Sequence, residues 1–265
     1  MEYVEGGHRP VSETAAEARR GARSTTGRTI TGGRAGRAGR ATPARPQFSS
    51  GNQQHSLAGA LADPRMRLAA GTAVMLVTAM AARRGRVSTW EATAFRAVND
   101  LPDALYPPAW AIMQLGTLGA APATAAAAWL SGNRQLAGRL LAGGTATWAL
   151  SKLVKRMVRR PRPAALLPDT HRRGRDATGL GYLSGHAGVA VALGAAALPH
   201  LGPAGRALTL GAIPAVSLTR IYVGAHLPLD TAGGAALGLA IDAALALAHE
   251  HARPVPRWGR TSAAG

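Results

Sequence analysis

Residues Thr219 to Asp230, TRIYVGAHLPLD, set a guanidinium, an imidazole and a carboxylate between two long apolar runs. Arg220 offers a permanently charged planar fork that suits phosphate oxygens. His226 supplies a nucleophile or base near neutral pH, and Asp230, four residues on, can hold that imidazole in one tautomer. Together these are the parts of phosphate chemistry. Pro228 favours a helix that starts at or near it. His226 then falls just outside a helix N-terminus, where unpaired N–H groups and the helix dipole favour an anion. The same residues also fit an interfacial loop whose Arg and His face lipid headgroups and whose Asp caps the next helix.

Two further stretches bear on that choice. Lys155 to Pro163 reads KRMVRRPRP. Lys155 sits on the last turn of an apolar helix, and Arg162 lies between two prolines that force an extended backbone, so the two cations can converge on one anion. A stop-transfer cluster at the end of a membrane helix is the alternative. Leu183 to His186, LSGH, precedes the apolar run Ala187 to Leu198. Ser184 is a candidate N-cap, Gly185 lets a ligand approach the backbone, and His186 is then presented at a helix N-terminus. A buried histidine bonded to a carbonyl is the structural reading of the same residues.

The elements that must position these groups are membrane helices. The chain of 265 residues is 47% apolar and only 4% aromatic, with Ala and Gly dominating long uncharged runs. Small residues let helix backbones approach closely in lipid. Candidate spans run from Leu68 to Ala82, Pro108 to Leu130, Leu136 to Val158, Ala187 to Leu198, Ala207 to Leu218 and Thr231 to Ala248. The first is short for a bilayer, but arginines on both sides can lift their charges to the interface. The second, free of charge from Ala104 to Gly132, is the clearest. The fifth holds Pro214, where a kink is expected. Residues 88–105 alternate apolar and polar at helical spacing and read as an interfacial helix. Six alternating helices would bring Lys155, Arg162, Ser184, His186, Arg220, His226 and Asp230 to one side.

Other classes recede. No cysteine is present, which removes disulfides, thiolate nucleophiles and cysteine metal sites. The net charge of +18 is almost all arginine, with Lys152 and Lys155 the only lysines, and no nucleic-acid-binding signature accompanies it. Residues 1–60 are rich in Arg, Gly, Ser and Thr without apolar periodicity and read as a disordered basic tail.

The three stretches resemble the three-part signature of the type 2 phosphatidic acid phosphatase family, which shares its core with vanadium-dependent haloperoxidases. That signature is Lys, six residues, Arg-Pro; then Pro-Ser-Gly-His; then Ser-Arg, five residues, His, three residues, Asp. The first part is met in full from Lys155 to Arg162-Pro163. Leu183 replaces the Pro of the second, and Thr219 the Ser of the third. The resemblance covers about residues 108–248, and neither departure removes a side chain that the family uses for chemistry.

The apolar runs and the resemblance together point to an all-α, polytopic membrane helix bundle of about six transmembrane helices, and composition divides the chain into a disordered basic tail (1–60), a membrane-embedded phosphatase domain (61–250) and a short C-terminal tail (251–265). The resemblance implies that His226 attacks phosphorus to give a phosphohistidine, that Asp230 orients its ring, and that His186 protonates the leaving oxygen and later activates water. Lys155, Arg162, Arg220, the Ser184 hydroxyl and the Gly185 N–H would hold the phosphoryl oxygens. Neither a metal nor another cofactor is expected. The expected partners are a lipid phosphate substrate (undecaprenyl pyrophosphate, phosphatidate or phosphatidylglycerol phosphate) and membrane lipid, without nucleic acid or an obligate protein partner. The expected place is the plasma membrane, with the site on the extracytoplasmic face. A non-catalytic binder of anionic lipid and a vanadate-dependent haloperoxidase-like enzyme are the competing readings.

Overall fold

The computed structural model describes residues 63–175 and 177–252. The expected N-terminal tail lies outside these residues, as does the C-terminal tail from residue 253. The described part of the chain is helical: α1 (Pro64–Arg83), α2 (Thr89–Asn99), α3 (Tyr106–Met113), α4 (Ala120–Leu130), α5 (Arg134–Val158), the single turn α6 (Pro163–Leu166), α7 (Gly185–Ala197), α8 (Pro203–Tyr222) and α9 (Pro228–Ala252). No strand occurs among the described residues.

Local chemistry sets most of these boundaries. Asp63 caps α1, its carboxylate accepting from the Arg65 N–H at 2.8 Å, with Pro64 at the first helical position. Asn133 caps α5 by accepting from Leu136 N at 2.9 Å. That helix ends at Val158, where Arg159 adopts the left-handed conformation (φ 56°). α8 continues through Pro214. α9 begins at Pro228 and runs to Ala252, three residues earlier and four later than the apolar run alone indicated, and so takes in the first two residues of the expected C-terminal tail.

α7 is the centre of the bundle. Its sequence GHAGVAVALGAAA is apolar all round, as a helix buried on every side must be, and it packs against α5, α8 and α9. α1 lies along α9, and α4 along α5. Close approach of α7 and α9 depends on Gly234: a Cβ there would stand 2.1 Å from the Ser184 carbonyl oxygen.

Two expectations require correction, and a third is not reached by length and composition alone. The second span, expected from Pro108 to Leu130, is not one helix. It breaks between α3 and α4, passing through a 3₁₀ turn at Gln114–Gly116 and an extended Thr117. The break turns Gln114 and Thr117 toward the cavity described below. Next, Arg67 does not lift its charge to an interface. It turns inward to Asp242 of α9 at 2.8 Å, and Arg139 of α5 meets the other oxygen of Asp242 at 2.5 Å. The first helix therefore starts four residues before the apolar run. Last, the count of six spans is not met by length and composition alone. Only α1 and α9 among the described helices are long and apolar enough to cross a membrane.

Candidate functional site

The three signature stretches meet at one end of the bundle, and backbone hydrogen bonds join them. Gly181 N donates to Arg160 O at 2.8 Å, tying the segment before α7 to the segment after α5. Ser184 N donates to Asp230 O at 2.8 Å, tying α7 to α9. Within the third stretch, Ala225 N and His226 N both donate to Arg220 O, at 3.1 and 3.2 Å. This tight reversal needs Gly224 at φ +71°, where a Cβ would also strike the His171 carbonyl.

Each expected site residue has a defined place. His226 and Asp230 are buried, and Ser184 is fully buried at the start of α7, its hydroxyl accepting from Ala187 N at a long 3.4 Å. Gly185 and His186, the first two residues of α7, are half-buried. His186, Arg162 and Arg220 face a cavity of about 540 Å³ whose outer wall includes Tyr106, Trp110 and Arg175. Thr219, standing where the family has Ser, turns its hydroxyl back to the Val216 carbonyl at 2.8 Å, away from the cavity chemistry. Leu183, standing where the family has Pro, is wholly buried in an apolar cluster with Tyr182, Leu237 and Ile241.

The cations are held by backbone carbonyls with donors to spare. Lys155 Nζ donates to Leu180 O (3.1 Å) and Gly181 O (3.0 Å), leaving one of its three hydrogens. Arg162 donates to Ala225 O at 2.7 Å and twice to Thr178 O, at 3.0 and 2.9 Å. Arg220 is the least committed. Its Nη1 lies 3.0 Å from Met113 Sδ, and its Nε is buried without a hydrogen-bond partner. A buried cation with unused donors beside a cavity is a receptor for an anion.

His226 Nδ1 lies 3.7 Å from Asp230 Oδ2 and has no hydrogen-bond partner. This is too long for a hydrogen bond, and a closure of about 0.7 Å would make one. Burial holds the imidazole well below its ordinary value near 6.5, and repulsion from Lys155, Arg220 and Arg162 adds to the effect. The ring is therefore neutral, the form in which a nitrogen can attack.

Two residues of the site stand at no fixed position of the signature. Arg160, buried to 1% exposure, donates from Nη1 to Asp230 Oδ1 at 2.9 Å and grips Glu91 of α2 with both terminal nitrogens, Nη1 at 2.9 Å and Nη2 at 2.7 Å. Burial opposes its charge, but the two carboxylates outweigh that and raise the guanidinium above its ordinary value. In the sequence Arg160 is one of five cations in KRMVRRPRP, and Glu91 is one of three acids in the stretch 88–105 read as an interfacial helix. That helix instead buries Glu91, Phe95 and Asn99, one face at helical spacing. Asn99 in turn holds the loops of the site, donating to His171 O and Tyr222 O and accepting from His171 N.

Fold and site together define a helical-bundle protein with a cavity lined by arginines and a histidine at one end. Residues 135–254 match the model of the PAP2 superfamily. Two solved structures share the fold. One is Aquifex aeolicus LpxE, with a TM-score of 0.53 and 21% identity over 59% of this chain and 93% of that one. The other is a transmembrane PAP2 type phosphatidylglycerolphosphate phosphatase from Bacillus subtilis, with a TM-score of 0.52 and 18% identity over 72% of this chain and 99% of that one. No curated protein sequence matches the chain.

Proposed function

We propose that this protein is an integral-membrane lipid phosphate phosphatase that hydrolyses a phosphomonoester or diphosphate through a phosphohistidine on His226. The observation that carries this reading is the lining of one cavity of about 540 Å³ by His186, Arg162 and Arg220, with His226 and Asp230 buried and Lys155 half-buried at the same end of the bundle, in a chain whose residues 135–254 match the PAP2 superfamily model.

The chemistry follows from the placement. Lys155, Arg162 and Arg220 take the phosphoryl oxygens on their unused donors, with the Gly185 N–H at the start of α7 and the Ser184 hydroxyl completing the cradle. His226 attacks phosphorus from the ring nitrogen remote from Asp230. As the N–P bond forms, the bond from phosphorus to the leaving oxygen breaks, and His186 gives that oxygen its proton. Asp230 takes a hydrogen bond from the opposite ring nitrogen and stabilises the positive charge that grows there. A water then attacks the phosphohistidine, His186 removes its proton, and inorganic phosphate leaves with the ring neutral again. The carboxylates beside the site, Glu91 and Asp230, are committed to Arg160, and no step above calls for a metal.

The surface supports a membrane setting. α1 exposes Val74, Leu76, Val77 and Met80, and Trp90, Trp110, Trp129 and Trp148 are all more than a third exposed. An apolar surface of this extent suits lipid better than water. We assign the six passes to α1, the broken pair α3 and α4, α5, α7, α8 and α9, with the site opening at the extracytoplasmic boundary of the plasma membrane. A headgroup at that boundary keeps its tail in lipid, which favours a lipid phosphate. A polyprenyl carrier diphosphate stands slightly ahead of phosphatidate and phosphatidylglycerol phosphate. The test is phosphate release by purified protein in detergent from each of these three, with His226→Ala alongside. Release from at least one, lost in the variant, is the expected result. Binding without release from any would make the protein an anionic-lipid binder.

A further inference from the structure

Glu91 lies outside the matched segment 135–254 and outside every signature, yet it reaches the centre of the site. Glu91, Arg160 and Asp230 are each at most 1% exposed, so no solvent screens the charges in this chain of three. The hydrogen-bond pattern is asymmetric. Glu91 takes both terminal nitrogens of Arg160, while Asp230 takes only one bond, from Nη1 to Oδ1. Asp230 Oδ2 is thereby left to accept from Leu227 N at 2.9 Å and to face His226 Nδ1. Glu91 Oε1 also accepts from Leu229 N at 3.2 Å, fixing the first turn of α9 one residue before Asp230.

A guanidinium opposite a single carboxylate prefers to bind both of its oxygens in parallel. If Arg160 did so to Asp230, the guanidinium would compete with His226 for the lone pair of Oδ2 that Leu227 N leaves free. Resting on the phosphatase reading above, we propose that Arg160 and Glu91 are positioning residues of the reaction. Arg160 keeps Asp230 charged and pins Oδ1, and Glu91 occupies the arginine fork so that Oδ2 stays available to His226. α2 is on this account part of the working site, although the matched segment begins at residue 135.

The test compares wild type, His226→Ala, Glu91→Gln, Arg160→Lys and Arg160→Gln in detergent micelles on whichever of a polyprenyl diphosphate, phosphatidate and phosphatidylglycerol phosphate the wild type hydrolyses, with the thermal midpoint of each protein recorded. Glu91→Gln should lower kcat by roughly tenfold to a hundredfold, as when the residue behind a reacting group's partner is lost, and leave KM within about twofold. Arg160→Gln should lower kcat further and move the acid limb of kcat/KM upward by about one pH unit or more, because Asp230 loses its counter-charge. Arg160→Lys, which keeps the charge, should leave that limb in place. A wild type that releases phosphate from none of the three lipids overturns the phosphatase reading and this proposal with it. An active wild type, a dead His226→Ala, and unchanged kcat and acid limb in folded Glu91→Gln and Arg160→Gln overturn the positioning role alone. So do losses that follow the thermal midpoint with the acid limb unmoved, or failure to recover any of the three clamp variants folded, since either makes the clamp purely structural.

Discussion

In the proposed mechanism the neutral, buried imidazole of His226 is the residue on which the chemistry turns. His226→Ala should cut turnover by at least about a thousandfold, because no other group can form the bond to phosphorus. His186→Ala should be far less damaging on a substrate with an activated leaving group such as p-nitrophenyl phosphate, which needs no proton to depart. Equal loss on activated and unactivated substrates would remove His186 from the acid role. The depressed value of His226 also has a consequence for stability. In the unfolded chain the ring binds a proton below about pH 6.5, whereas in the folded protein it does so only at much lower pH. The unfolded state therefore gains protons first, and stability falls as pH drops below about 6.5. His226→Gln should show a shallower fall in thermal midpoint from pH 7 to pH 5 than wild type. An identical fall would place the ring in contact with solvent.

Among elements, the contact of α7 with α9 and the tie among α1, α5 and α9 are the points most open to test. Gly234→Ala would drive a methyl group into the Ser184 carbonyl. Backbone cannot yield as a flexible side chain would, so a loss of about 1–3 kcal/mol and a displaced α7 start are expected, read as a lower thermal midpoint together with lower activity. Asp242 is buried between Arg67 and Arg139, whose side chains keep some exposure. Asp242→Asn leaves two cations facing each other. Because both arginines can still turn partly outward, the cost should be about 2 kcal/mol, below the ~3–5 kcal/mol for a fully buried broken pair. Asp242 lies twelve residues beyond Asp230, about 18 Å along α9, so kcat of the folded fraction should be unchanged. A fall in kcat would show that the two ends of the bundle are coupled.

At the scale of the whole molecule, the proposed mechanism and orientation each have a direct check. Phosphate release should survive EDTA at full rate, since the attacking atom is an imidazole nitrogen. Complete loss restored by a divalent cation would overturn the phosphohistidine route. The absence of cysteine makes labelling clean. Ala165→Cys places a thiol on exposed α6 at the site end, and Ser131→Cys places one on the exposed turn after α4. With the site facing outward, an impermeant maleimide should label position 165 and not position 131 in intact cells. The reverse pattern would invert the topology.

What the sequence determined by itself lies where the physics is local. The Lys155 to Pro163, Leu183 to His186 and Thr219 to Asp230 stretches carry their own spacing, and helix ends such as Val158 and Pro228 follow from residues within a turn of them. Long apolar runs identified α7 as a helix, and their order indicated the end of the bundle at which the signatures gather. What only the tertiary structure decided involves partners far apart in the chain. Arg160 meets Glu91 across 69 residues, and Arg67 meets Asp242 across 175. A buried ion pair leaves no local pattern, because either residue alone reads as one more surface charge. The break in the second span is of the same kind. Gly116, Gly119 and Pro122 weaken helix there, but only the packing against α7, where a Cβ on Gly116 would stand 2.5 Å from the His186 carbonyl oxygen, shows how little room the chain has at that point.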